Sequence, residues 1–279
     1  CGSGNKPLDK KGALLLVEAL RGERKLPPPA EKPEPTGESG RPGHPDLSMT
    51  IAPLSSSSPS PATGRAAAQP PQGDGWRTLP LSGDDGQRLV VFDLETQLSA
   101  QDVGGWQNAH LMRVAVGVVY DSHTDSYTAY DERRVDDLIA HLHEADLVCG
   151  FNILEFDYSV LSAYADRSLK SLPTFDLLAD IHARIGFRVG LENLSTNTLG
   201  RGKSANGLQS LEWVRQGRLD LVERYCRDDV RVTADLLRFG IAHQYVLYFR
   251  KRHGGLRIPV DWHLARMFQR VEANGKMSP

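Results

Sequence analysis

Three cysteines in 279 residues, Cys1, Cys149 and Cys226, leave no pair at the spacing of a zinc knuckle and no framework of disulfides. A reducing, cytoplasmic setting is therefore the expected one. Also missing is any apolar run of about 18 residues, the length of a membrane span, because Glu18 and Arg21 interrupt the best early candidate. No contact with a membrane is expected. A dominant charge is absent too: 33 Lys and Arg against 35 Asp and Glu give a net charge of −2, so there is no global basic field. The nine histidines show no HExxH spacing, which argues against a zinc protease. Gly202-Lys203-Ser204 looks like the end of a phosphate-binding loop, but the first glycine of that motif would fall at Asn197 and no strand precedes it, so nucleotide hydrolysis is not expected.

Proline is abundant but confined. Twelve of the seventeen prolines lie between Pro27 and Pro71, with the Ser55–Ser58 and Ala66–Ala68 runs and many glycines. Such a stretch cannot bury enough apolar surface to offset its ordering entropy. Residues 24–87 are therefore expected to be a disordered Pro/Ser/Gly-rich linker. Before it, residues 1–23 carry apolar positions at helical spacing after Asp9, the pattern of a short amphipathic helix. The first residue is Cys1 rather than methionine, and this helix reads as the end of an upstream region.

After the linker the composition becomes that of a folded domain, expected over 88–262, with 263–279 as a basic tail. Leu89–Leu94 (LVVFDL) reads as a buried strand, Met112–Tyr120 as a second, and Asp125–Tyr130 as a third beside it. Helical spacing follows over Val135–His143, then a short apolar run at Leu147–Cys149, then a helix starting near Glu155 or Phe156. From Pro173 onward mainly helices are expected, the longest over Leu219–Phe239. The predicted class is α/β, a mixed sheet flanked by helices. Two segments of this half are locally basic: 184–227 with eight Lys or Arg against four acids, and 250–270 with six against one. They suit a phosphate-binding surface or, equally, a solvated face.

Three acidic clusters carry the chemistry. Asp93 and Glu95, two apart on a predicted strand, share one face. The apolar residues before them imply a central strand, where uncompensated charge is costly unless a cation neutralises it. In GFNILEFDYSVL, Asn152 ends a short strand and Phe156 and Asp157 open a helix, so Asp157 is either a helix cap or a third carboxylate at the same end of the sheet. In YCRDDV, Tyr225 and Asp229 lie one helical turn apart and project from one side, whereas Asp228 faces elsewhere. Asp176, near a helix start after Pro173, reads as a cap.

Taken in order, Asp93-Leu-Glu95, Asn152-x-x-x-Phe156-Asp157 and Tyr225-x-x-x-Asp229 resemble the three motifs of the DEDD (DnaQ-like) exonuclease superfamily, tyrosine subgroup. The flanking text LPTFDLLADI, LENLSTNTLG and GLQSLEWVRQGRLDLVERYC is similar to YprB-type ribonuclease-H-like exonuclease domains, some of which are attached to helicases. The resemblance covers 88 to about 262. It implies a ribonuclease-H-like fold and a 3′-to-5′ exonuclease acting on single-stranded or frayed DNA or RNA, with two magnesium or manganese ions as cofactors. Asp93 would bridge both ions, Glu95 and Asp229 would complete the site of the attacking water, Asp157 would hold the second ion through water, and Tyr225 would orient the nucleophile. Thr96, Asn152, Arg201, Lys203 and Arg215 are the expected nucleic-acid contacts. Two other readings stay open: a catalytically silent nucleic-acid-binding module serving a partner such as a helicase, and a nuclease that processes structured RNA.

Overall fold

A computed structural model describes residues 73–83, 86–201, 207–251 and 253–275. The expected first helix and most of the expected linker lie outside the described residues, as does Lys203. Among the described residues no helix is long and apolar enough to cross a membrane.

Five strands make the main sheet: β1 (Leu89–Thr96), β2 (Val114–Asp121), β3 (Ser126–Asp131), β4 (Leu147–Gly150) and β5 (Thr174–Asp176), in spatial order β3-β2-β1-β4-β5. β1–β2 and β2–β3 pair antiparallel, β1–β4 and β4–β5 parallel. The three antiparallel strands, the helix α1 (Val135–His143) and β4 stand where the sequence placed them. β1 is central and buried on both faces, and its alternation divides the interior in two. Leu89 and Val91 join the core built with the long helix, while Val90, Phe92 and Leu94 join the one packed against α1 and the short helix α2 (Asp157–Leu161). Continuing the first series by the period of two brings Asp93 and Glu95 onto the long-helix side.

After β5 come α3 (Leu177–Ile185), α4 (Leu191–Leu199), α5 (Gly207–Arg215) and the 25-residue α6 (Leu219–His243), which outruns its expected end by one turn. Val222, Cys226, Val230, Ala234 and Leu237 of α6 supply its buried stripe against the sheet.

The C-terminal part adds strands to the mainly helical expectation. Tyr245–Arg250 and Gly254–Pro259 form a hairpin, β6–β7. The exposed edge groups of β6 are satisfied by side chains of α4. Thr198 Oγ1 donates to Leu247 O and accepts from Leu247 N, and Asn193 serves both backbone groups of Phe249. The segment expected as a basic tail is instead a helix, α7 (Leu264–Gly275), with Met267 and Phe268 buried in the core. Just before it, the fully buried Trp262 lies against Gly240 of α6, where an added Cβ would stand 2.0 Å from the indole ring, and its Nε1 donates to Asp180.

At the opposite end of the sheet Asp121 is buried with Arg88 and His141. Burial alone would raise its carboxyl, but the Arg88 hydrogen bonds, the His123 amide and the His141 ring together lower it to about 2. Because its folded value lies below the unfolded 3.8, the stability it contributes is present above pH 3.8 and is lost as pH falls toward 2. Chemical denaturation across that window should show a loss of roughly 2 kcal/mol from this carboxylate. Asp121→Asn should start less stable at neutral pH and lose correspondingly less on acidification; equal slopes in the two proteins would refute the assignment.

Candidate active site

The sequence series of β1 and the α6 stripe converge at the C-terminal end of β1. There Asp93, Glu95 and Asp229 bring one carboxylate oxygen each within 4.8 Å of one another. Asp93 and Glu95 are half-buried and Asp229 buried. Three like charges so close favour a divalent cation among them, and an all-oxygen donor set suits a hard one.

One turn before Asp229, the Tyr225 hydroxyl hydrogen-bonds the Asp229 carboxylate. Burial, then the charges of Asp229, Glu95 and Asp93, push the Tyr225 phenol far up from its ordinary value. Its ring is held edge-on by Trp213 of α5, centroids 6.3 Å apart. Behind the cluster, Cys226 Sγ lies 3.2 Å from the Asp93 carbonyl and 3.6 Å from its Oδ2, a thiol contact that fixes the Asp93 side chain from the core side.

Asp157, the fourth acid of the sequence pattern, is not within the group of three. β1 runs past the last residue of β4 that it pairs with, and at Leu94 the backbone N–H is taken by Asp157 Oδ1 at 3.1 Å. Asp157 is 2% exposed. Burial raises its carboxyl well above the usual carboxylate range, and the charges of Asp176 and Glu95 add to this.

The turn between β4 and α2 is built around Gly150 and Asn152. A Cβ at Gly150 would stand 2.9 Å from the Phe92 carbonyl of β1, so only glycine lets the strands approach there. Asn152 adopts φ 69, the left-handed region that asparagine tolerates. Asp176 caps α3 as expected, accepting from Leu178 N and Ala179 N, and the same carboxylate also accepts from Asn152 N and Leu154 N at 2.9 and 3.1 Å. One buried side chain thus ties this turn to α3.

Beside the carboxylates opens a cavity of about 350 Å³ lined by Asp93 and Asp229, by Asn152 and Arg188, and by the apolar Phe151, Leu178, Val189 and Leu191. The expected contacts Arg201 and Arg215 do not line it. Arg201 lies 3.5 Å from Asp235 on α6, and Arg215 reaches Asp102 at 3.7 Å and Glu212 at 3.8 Å. Thr96 is buried, its hydroxyl donating to Leu98 O. Sequence reasoning passed over three residues of this region: Arg188, isolated between apolar neighbours in GFRVGL; Cys226, visible only as a core residue; and Trp106, which is 71% exposed and stands edge-on to Phe156.

A central strand and a crossing helix that deliver carboxylates to one end of a mixed β3-β2-β1-β4-β5 sheet define a ribonuclease-H-like domain. The chain belongs to the RNase_H superfamily: the RNase_H_2 family model matches residues 90–239, from β1 through most of α6. No curated protein sequence matches the chain. Among the solved structures that are similar to it is the family B DNA polymerase from the hyperthermophilic archaeon Pyrobaculum calidifontis, at 16% identity and a TM-score of 0.44. That match covers 55% of this chain and 24% of the polymerase, so the chain corresponds to about a quarter of its length.

Proposed function

We propose that this domain is a divalent-metal-dependent 3′-to-5′ exonuclease of the tyrosine DEDD type, removing nucleotides from the 3′ end of single-stranded or frayed nucleic acid. The observation that carries the reading is the convergence of Asp93, Glu95 and Asp229 within 4.8 Å, at the edge of a cavity of nucleotide size. Magnesium or manganese fits this donor set and, when bound, would supply an activated water and neutralise charge on the phosphoryl group. Asp93, Glu95 and Asp229 would hold the metal, each offering one carboxylate oxygen to it. Asp157 serves from a more buried position, at the junction of β1 and α2. Tyr225, rigid between Trp213 and Asp229, orients the attacking water.

The test is incubation of the purified chain with 5′-labelled DNA and RNA oligonucleotides in magnesium, manganese or EDTA. A ladder that shortens from the 3′ end, and that EDTA abolishes, is the expected result. Early release of a labelled mononucleotide would overturn the direction of attack, and binding without cleavage would return the silent-module reading.

A further inference from the structure

Resting on that reading, we infer that Arg188 forms a phosphodiester-binding subsite that holds the substrate strand beside the carboxylate cluster. The cavity that borders Asp93 and Asp229 has one cationic side chain among its lining residues, and it is Arg188. Its partner is neutral: a guanidinium Nη donates to Asn152 Oδ1, and no carboxylate pairs with it among the described residues. Five other arginines of the locally basic stretch lie against carboxylates, Arg227 beside Glu223 among them. Arg184 is bound bidentately by Asp180, Arg201 meets Asp235, Arg215 meets Asp102 and Glu212, and Arg218 meets Asp220. Their charge is largely compensated within the protein, whereas the charge of Arg188 is open to a ligand.

The aim of that charge is also set. Asn152 Oδ1 takes one N–H of the guanidinium, and Asn152 is itself held in the left-handed region with its N–H on the Asp176 carboxylate, which is anchored by the start of α3. A chain of contacts therefore runs from a buried acid through the turn to an exposed cation. An arginine with a prearranged orientation and remaining N–H donors suits a phosphate oxygen, for which its planar fork is matched. The neighbouring wall of Phe151, Leu178, Val189 and Leu191 offers no competing polar partner to such an anion. A strand whose end sits at Asp93 and Asp229 passes along a surface that is acidic at one side, so a phosphate next to the reacting one meets repulsion unless a cation faces it. Arg188 provides that cation. Its role is to hold substrate, which separates it from groups that act on the reacting atoms.

The experiment measures binding apart from cleavage. Affinity for a 5′-fluorescein-labelled single-stranded oligonucleotide is followed by anisotropy in EDTA across about 50 to 200 mM salt, and single-turnover cleavage is followed separately in manganese. Arg188→Ala should weaken binding by about 5- to 20-fold at low salt and reduce the magnitude of the slope of log affinity against log salt by about 0.7, one phosphate contact on a single strand. The cleavage rate at saturating protein should change by less than about threefold. Arg188→Lys should retain most of the salt slope with part of the affinity, since the charge stays and the fork is lost. Asn152→Gly keeps the backbone conformation and removes the orienting carbonyl, and should weaken binding less than Arg188→Ala. Unchanged affinity and slope in Arg188→Ala, with wild-type cleavage intact, would overturn the subsite and leave the exonuclease reading standing. Weakened binding in Arg188→Ala of a wild-type chain that does not cleave would support the subsite and overturn that reading. A rate loss with no loss of affinity would also overturn the subsite, because it would move Arg188 to the reacting atoms.

Discussion

Asp93→Asn is expected to abolish metal-dependent cleavage while leaving the domain folded. Asp93 is the acid that β1 places beside both Glu95 and Asp229, and asparagine keeps its size while removing the charge and one anionic oxygen. Sites that rely on converging carboxylates lose nearly all their function when one ligand is neutralised, and a fall of about a thousandfold or more, 4 kcal/mol or more of transition-state stabilisation, is the expected scale. Stability should move the other way or not at all. In the absence of metal, three carboxylates within 4.8 Å repel one another, and removing one charge relieves this. Cys226 can still donate to the backbone carbonyl at position 93, so packing behind the site is kept. Two measurements distinguish this from a folding defect. Manganese should raise the thermal midpoint of the wild-type chain by mass action and raise that of Asp93→Asn far less. The metal-free midpoint of the variant should equal or exceed that of wild type. Cleavage at a near wild-type rate by Asp93→Asn would remove the carboxylate mechanism altogether.

The parts of this site that were legible in the sequence are those set by a local period. An apolar run followed by Asp-Leu-Glu places both acids on one face of a buried strand, and Tyr-x-x-x-Asp within an apolar helical stripe places both on one side of a helix. Both relations hold in the structure, where the tyrosine touches the aspartate one turn on. What the period does not give is the reach of a side chain across elements. Asp157 reads equally as a cap or as a ligand, and in the structure its carboxylate accepts from the N–H of Leu94 on β1, a contact created by β1 outrunning β4. Asp176 caps α3 as its position after Pro173 predicts, but its second pair of hydrogen bonds, to Asn152 and Leu154, depends on the turn lying beside α3.

Net charge marks 184–227 as locally basic but says nothing about which guanidinium of a segment is already paired. Arg201 and Arg215 each lie near acids from other elements, and Arg188, which lines the cavity, looked unremarkable by position. The β6–β7 hairpin was lost for a related reason. YVLYFR is a short apolar run that a helix or a strand can accommodate, and it directly follows a long helix. The deciding interactions are the amide of Asn193 and the hydroxyl of Thr198, which complete the β6 edge from α4, some fifty residues earlier in the chain.

Tyr225→Phe is the change that separates an active exonuclease from a silent module with the same fold, since it keeps the ring and removes only the hydroxyl. The ring is buried against Trp213, and phenylalanine preserves that packing, so the fold should be nearly unaffected. The hydroxyl meets Asp229, and its loss removes that contact and leaves the attacking water without an orienting donor. Positioning of this kind acts in the transition state, so the single-turnover rate should fall by about 10- to 1000-fold, roughly 1.4 to 4 kcal/mol. Oligonucleotide affinity measured in EDTA should barely move, the reverse of the pattern expected for Arg188→Ala. The two variants therefore form a crossed pair, one lowering rate at constant binding and the other lowering binding at nearly constant rate. Raising manganese should not rescue Tyr225→Phe if the hydroxyl works on the water; if it works only by steadying Asp229 as a ligand, the lost rate should return at high manganese. A Tyr225→Phe protein that cleaves at the wild-type rate would remove the hydroxyl from the reaction and, with it, the tyrosine-type assignment of this site.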